Sequence, residues 1–142
     1  MSILRPQKIL FKELRKVQDI LEEIRESDEI EDISLENYKA ENIEFNDISV
    51  EKSILSNTDI LGSNLAKNTF TDVEFRNFNF SNTSFENCSF VRCEFNYCKM
   101  TGCNFIDSRL YNVSFFETNA NYCNFATASI QNVAFDKTGL RN

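Results

Sequence analysis

Every residue whose number is a multiple of five, from Ile30 to Leu140, is apolar: 23 in succession, among them eleven of the fourteen phenylalanines. In a chain that is 42% apolar, such a run has a chance probability on the order of 10⁻⁹. A second column, two residues earlier, is mostly small or moderate: Ser53, Thr58, Ser63, Val73, Thr83, Cys88, Cys93, Cys98, Cys103, Ser108, Val113, Thr118, Cys123, Ala128, Val133 and Thr138. It holds all five cysteines. The three remaining positions of each five are rich in Asn, Asp, Glu, Ser and Lys, as at Asn79, Asn82, Glu86, Asn87 and Asn112. Two inward and three outward positions per five fit neither a period of 3.6 nor one of 2. They predict a chain that turns a corner every five residues.

Units such as Thr83-Ser84-Phe85-Glu86-Asn87, Cys103-Asn104-Phe105-Ile106-Asp107 and Cys123-Asn124-Phe125-Ala126-Thr127 resemble those of the pentapeptide-repeat family. The resemblance covers residues 28–142. It implies an all-β solenoid, a right-handed quadrilateral parallel β-helix in which four pentapeptides make one square coil and the central Leu or Phe fills the core. The 115 residues from 28 to 142 divided by 20 per coil give about 5.75 coils, a rod of roughly 28 Å at the spacing of paired strands. The family's Asp or Asn before the central residue is met at Asp59, Asn64, Asn79, Asn104, Asn119 and Asn124, and replaced at Ile54, Glu74, Lys99 and Arg109. In the early coils Ile33, Tyr38, Ile43 and Ile48 crowd the small column while Ala40 leaves a central site underfilled. Volume exchange between inward sites is expected there, with a distorted first coil and a half.

Residues 6–27 read as one helix preceding the repeat. Pro6 suits a first turn, and Leu10, Leu14, Val17, Leu21 and Ile24 make a single apolar stripe. The chain thus divides into an N-terminal helix over 1–27, serving as a cap or a dimerisation element, and the β-helix over 28–142. The charges of such a helix oppose its dipole: Arg5, Lys8, Lys12, Arg15 and Lys16 come first, and Asp19, Glu22, Glu23 and Glu26 last. An antiparallel partner helix or the acidic start of the repeat would compensate.

Composition removes most catalytic chemistry. The 142 residues suit one domain, no His is present, and three Gly leave no glycine-rich phosphate cradle. No apolar run approaches the roughly 20 residues of a membrane span, and the charged start holds no signal-peptide core, so a cytoplasmic protein without membrane association is expected. A net charge of −7 argues against direct nucleic-acid binding. Cys88, Cys93, Cys98 and Cys103 fall one on each side of a coil whose middle must hold aromatic rings, so no metal is expected. Reduced buried thiols are expected instead, including Cys103 and Cys123 one coil apart. Carboxylates in apolar settings are not foreseen, and a convex rod offers no pocket. Neither catalysis nor a cofactor is expected.

Some members of the family resembled mimic duplex DNA and bind DNA gyrase or topoisomerase IV, protecting them from quinolones. Here residues 28–59 carry ten acids against Lys39 and Lys52, a net −8, whereas residues 60–142 carry seven acids and seven bases. A mimic needs charge spread along its length, about one phosphate per 1.7 Å. A non-enzymatic protein-interaction scaffold is therefore the leading reading, with gyrase mimicry as its alternative and the physiological partner unidentified. Tyr97, Ile106, Tyr111, Phe116, Tyr122, Phe135 and Leu140 are the candidate interface, outward or terminal apolar residues of the later coils that suit a homodimer.

Overall fold

The computed structural model describes residues 2–6 and 13–142. Its elements are β1 (Arg15–Val17), α1 (Ile20–Glu26), β2 (Glu29–Glu31), β3 (Ile33–Glu36), β4 (Ser49–Asp59), β5 (Thr69–Asn79), β6 (Ser89–Val91), β7 (Glu94–Asn96), β8 (Arg109–Phe116) and β9 (Ser129–Asp136). From β2 onward every pairing is parallel with a register of 20, as in Val50↔Phe70 and Phe95↔Phe115. The fold is the right-handed quadrilateral β-helix that the resemblance implies. Side A is centred on Ile30, Val50, Phe70, Phe90, Leu110 and Ile130, and side B on Leu35, Leu55, Phe75, Phe95, Phe115 and Phe135. Sides C and D follow through Phe80, Met100 and Ala120 and through Phe85, Phe105 and Phe125. They are tied by single parallel bridges such as Asn79↔Lys99 and Ser84↔Asn104 and closed by turns such as Thr83 N–H to the Phe80 carbonyl, 2.9 Å.

The corners explain the polar composition. From Asp32 to Lys137 the residue two places after each central one is left-handed, at 20 non-glycine positions as well as Gly62 and Gly102. Twelve of these are Asn or Asp, the side chains that best tolerate this region. At Gly102 a side chain would also meet the Asn82 carboxamide of the preceding coil. Thr127 is the exception in chemistry, a β-branched residue at φ 57°. Thr127→Asn should relieve about 1 kcal/mol of backbone strain, and a raised melting temperature checks it.

Parallel stacking places identical rings face to face. Phe75, Phe95, Phe115 and Phe135 stack at 4.7 to 4.8 Å with interplanar angles of 10° or less, the strand spacing itself. The second column does more than fill space. Cys88 Sγ donates to the Leu65 carbonyl at 2.9 Å, and Thr118 Oγ1 donates to the Phe95 carbonyl at 3.0 Å. Hydroxyls also accept from the coil below, as Ser53 Oγ does from Ile33 N–H at 3.2 Å. Small polar side chains thus satisfy backbone groups that the aromatic core would otherwise strand.

Two expectations need correction. The early coils are regular: corners at Asp32, Asn37, Asn42 and Asp47 have φ of 53° to 60°, and the 20-residue register holds from Glu29. Side-chain volume is exchanged without backbone distortion. In the 38/58/78/98 column the small Thr58 lies between Tyr38 and Phe78, and Phe78 stacks at 3.9 Å on Phe80.

Of the helix expected over 6–27, the described residues form α1, Ile20–Glu26, whereas Arg15–Val17 is a strand pairing with Ile33–Leu35. Residues 7–12, with Leu10 of the expected stripe, lie outside the described residues. Starting the helix at Ile20 removes the charge conflict. Asp19 is its N-cap and accepts from Leu21 N–H, Glu22 and Glu23 lie in the first turn, and Arg25 in the last, each where the dipole favours it. Arg15 pairs with Glu23 through two hydrogen bonds of 2.8 and 2.9 Å, one contact between the basic and the acidic residues of this segment. That pairing holds the Glu23 carboxyl below its usual range. Val17 and Ile20 are buried, and Leu21 and Ile24 pack on the core, so β1 and α1 together cover the first coil.

Candidate functional site

Side B carries the feature least expected of a convex rod. Glu74 and Glu94 project outward from β5 and β7 on adjacent coils, yet are 2% and 6% exposed. Asp72 and Asn112, at the corner between sides A and B, are equally buried. The surroundings of these carboxylates are polar rather than apolar, but the groove beside them departs from the pocketless rod that was expected. Each carboxylate has a cation. Arg76 reaches Glu74 at 2.7 Å, Arg92 grips Asp72 through two bonds of 2.7 and 3.0 Å, and Arg5 reaches Glu94 at 3.0 Å. Asn96 Nδ2 also donates to Glu74 at 3.2 Å.

Arg5 belongs to the segment Ser2–Pro6, which runs along the solenoid axis at this corner. Asn132 Nδ2 donates to the Ser2 carbonyl at 3.2 Å, Leu4 N–H donates to Asn112 Oδ1 at 3.5 Å, and Arg5 meets Glu94. Successive coils thus contact successive parts of the segment. Beside the segment a trough lies open on side B, lined by Ser114, Ala134, Tyr97, Phe116 and Asp136. Small side chains at Ser114 and Ala134 make it deep. Across it Tyr97 and Phe116 pack edge to face with centroids 5.6 Å apart, and Lys137 lies over the Phe116 ring at 5.9 Å. The sequence carried one signal of this: carboxylates at Glu74 and Glu94, one repeat of 20 apart, in a column where Asp or Asn is usual.

The candidate interface residues are distributed rather than gathered. Tyr97 and Phe116 meet at the trough. Tyr111 lies on side A beside Val91 and Gln131, Ile106 on side D, and Tyr122 at the corner between sides C and D. Phe135 and Leu140 belong to the last coil, whose inward residues are uncovered within these 142 residues. Ile130 and Leu140 are each 46% exposed, and Phe125 and Phe135 are only partly buried.

The five thiols are free. Cys88, Cys93, Cys98 and Cys103 donate to the carbonyls of Leu65, Phe70, Phe75 and Phe80, one on each side, and so do not converge. Among the described residues no cluster of His, Cys, Asp or Glu is arranged to hold a metal ion. Burial pushes the Cys88 and Cys98 thiols up to about 12 and raises Cys103 as well. Cys123 differs: its thiol, donating to the Met100 carbonyl at 2.9 Å, is only half-buried, and the neighbouring Cys103 lowers its pKa. Iodoacetamide under native conditions should therefore give a single adduct at Cys123, against five in denaturant, read by peptide mass spectrometry.

No helix among the described residues is long and apolar enough to cross a membrane. A family model described as a pentapeptide repeat region matches residues 88–142. Among solved structures the chain resembles a pentapeptide repeat protein, Rfr23, from the cyanobacterium Cyanothece 51142. The TM-score is 0.79 at 16% identity, over 84% of this chain and 96% of that one. A looser likeness is to a trypsin-treated form of QnrB1, a plasmid-mediated fluoroquinolone resistance protein, with a TM-score of 0.48, 17% identity, and 79% and 72% of the two chains covered. A search of curated proteins finds no match. The five-residue register and the square coil with a left-handed residue at each corner give the chain the fold of Rfr23, and residues 88–142 match the model of a pentapeptide repeat region.

Proposed function

We propose that the protein is a non-enzymatic interaction module that binds other proteins with the faces of a rigid rod and associates with a second copy through its later coils. The observation that carries this reading is the apolar and aromatic surface of those coils, where Tyr97, Tyr111, Tyr122 and Ile130 are 37% to 57% exposed. A second copy presents the same surface, and a twofold contact buries it on both. Carboxylates on side B already engaged by arginines suit recognition better than proton transfer.

Light scattering at tens of micromolar should give a dimer for the wild type and a monomer for Ile130→Glu with Phe135→Glu. A monomeric wild type overturns the self-association. Gyrase mimicry ranks second, because the net −8 of residues 28–59 is confined to the first coils while residues 60–142 sum to zero. Relief of quinolone inhibition of gyrase by the purified protein would reverse that order.

A further inference from the structure

The contacts of Ser2–Pro6 describe what the side B trough recognises. Asn132 and Asn112, whose carboxamides also bond to one another, address a main-chain carbonyl and a main-chain N–H two residues apart. These contacts are blind to side chain, and the Leu4 side chain accordingly points away, with the residue 57% exposed. Selectivity lies at Glu94. Its side chain is 8% exposed while that of Arg5 is 81% exposed, so the carboxylate is built into the rod and the cation is brought to it. A buried carboxylate without a cation is costly, so whatever occupies this position must supply one. Among the described residues the present occupant is held by the Arg5–Glu94 ion pair, by two hydrogen bonds to its backbone and by the burial of Pro6. Alongside it the trough continues past Ser114 and Ala134 to Tyr97, Phe116 and Asp136, with Arg76 also in its lining and Lys137 over the Phe116 ring, an aromatic and mixed-charge wall for the side chains that follow.

We propose that this axial trough is a binding site for an extended, arginine-bearing peptide segment of a partner protein, with Ser2–Pro6 as its resident occupant. The Asn112–Asn132 pair reads the backbone of the incoming segment, Glu94 takes its arginine, and the Tyr97–Phe116 wall takes the side chains beyond that arginine. The chain's own terminus holds the site closed to weak competitors, since an occupied site lowers apparent affinity by the fraction of time it is free. This inference rests on the interaction-module reading and gives one face of the rod a ligand class.

The test is fluorescence anisotropy with a labelled peptide of sequence SILRP added to the full-length chain. Arg5→Glu, which expels the resident terminus, should bind the peptide about tenfold tighter than the wild type. Adding Glu94→Gln should abolish that gain, and a peptide with Glu in place of its Arg should not bind either form. Should Glu94→Gln fail to fold, the peptide substitution alone decides the role of the cation. Absence of saturable binding by an Arg5→Glu chain with wild-type circular dichroism and melting overturns the inference, as does binding indifferent to the peptide's arginine. A dimer abolished by Arg5→Glu also overturns it, by assigning the trough to the terminus of a second copy. A chain that binds the peptide but stays monomeric overturns only the self-association, whereas a dimer broken at Ile130 and Phe135 that ignores the peptide overturns only the trough.

Discussion

Phe95→Ala should cost about 4 kcal/mol, the middle of the range for deleting a buried aromatic ring. Phe95 is fully buried, stacked at 4.7 Å on Phe75 and 4.8 Å on Phe115, with edge contacts to Phe80 and Phe90. Collapse cannot close the gap, because the coils above and below are held apart by parallel ladders at fixed spacing. A loss of about 10 to 15 °C in melting temperature is the expected readout for a chain of this size. Phe95→Leu keeps most of the volume and should cost about 1 kcal/mol. Phe135→Ala, at a ring with one stacked neighbour and partial exposure, should cost less than half as much as Phe95→Ala. Equal losses at the two positions would show that ring stacking along the axis is not what couples the coils. A repeat protein transmits such a defect mainly to its neighbouring coils, so hydrogen exchange should rise from about residue 70 to 120 and change little at β1 and α1.

What was legible in the sequence was whatever recurs. The central column announced the core from Ile30 to Phe115, and the abundance of Asn at Asn57, Asn77, Asn82, Asn87 and Asn112 was the mark of left-handed corners. The parts that do not recur were read by analogy with ordinary helices and went astray. The apolar stripe from Leu14 to Ile24 is shared between a strand and a helix: Val17 enters the core from β1, and Ile20 from the first turn of α1. Periodicity cannot separate those cases, though the sequence Asp19-Ile20-Leu21-Glu22-Glu23 has the acidic composition of a helix start. The trough was hidden for a different reason. Glu94 and Asn112 occupy outward positions, and Ser2–Pro6 returns along the rod to meet them, in contacts between residues 89 and 108 positions apart. No local pattern encodes it. Asn68 and Phe78 stand in the second column against its small-residue character, and each marks a site where the structure does something particular.

At Asn68 that particular role predicts the largest polar effect in the protein. The side chain is fully buried. Its Oδ1 accepts from Ile48 N–H at 2.9 Å, and its Nδ2 donates to the carbonyls of Phe45 and Leu65, each at 2.9 Å. One carboxamide thus closes its own turn at side D and ties it to the turn of the preceding coil. The Leu65 carbonyl keeps a second donor in Cys88, so Asn68→Ala strands chiefly the Ile48 N–H and the Phe45 carbonyl, each lost partner costing about 1 to 3 kcal/mol. A total of about 3 kcal/mol is expected from chemical denaturation. Asn68→Leu should be no better, since added apolar contact replaces neither bond and the branched side chain must fit a space shaped for a planar amide. Asn68→Thr should recover most of the loss, because Thr83 already performs the same double task one coil side away, accepting from Ser63 N–H at 3.3 Å and donating to the Ile60 carbonyl at 3.2 Å. The order Thr, then Ala and Leu, is the signature of hydrogen-bond rescue. If the Ala and Thr variants were equally unstable, the volume of the amide would be what matters at this site. Faster exchange at the Ile48 amide in the Ala variant, with that amide protected in the Thr variant, would assign the loss to the one bond that the rest of the coil cannot replace.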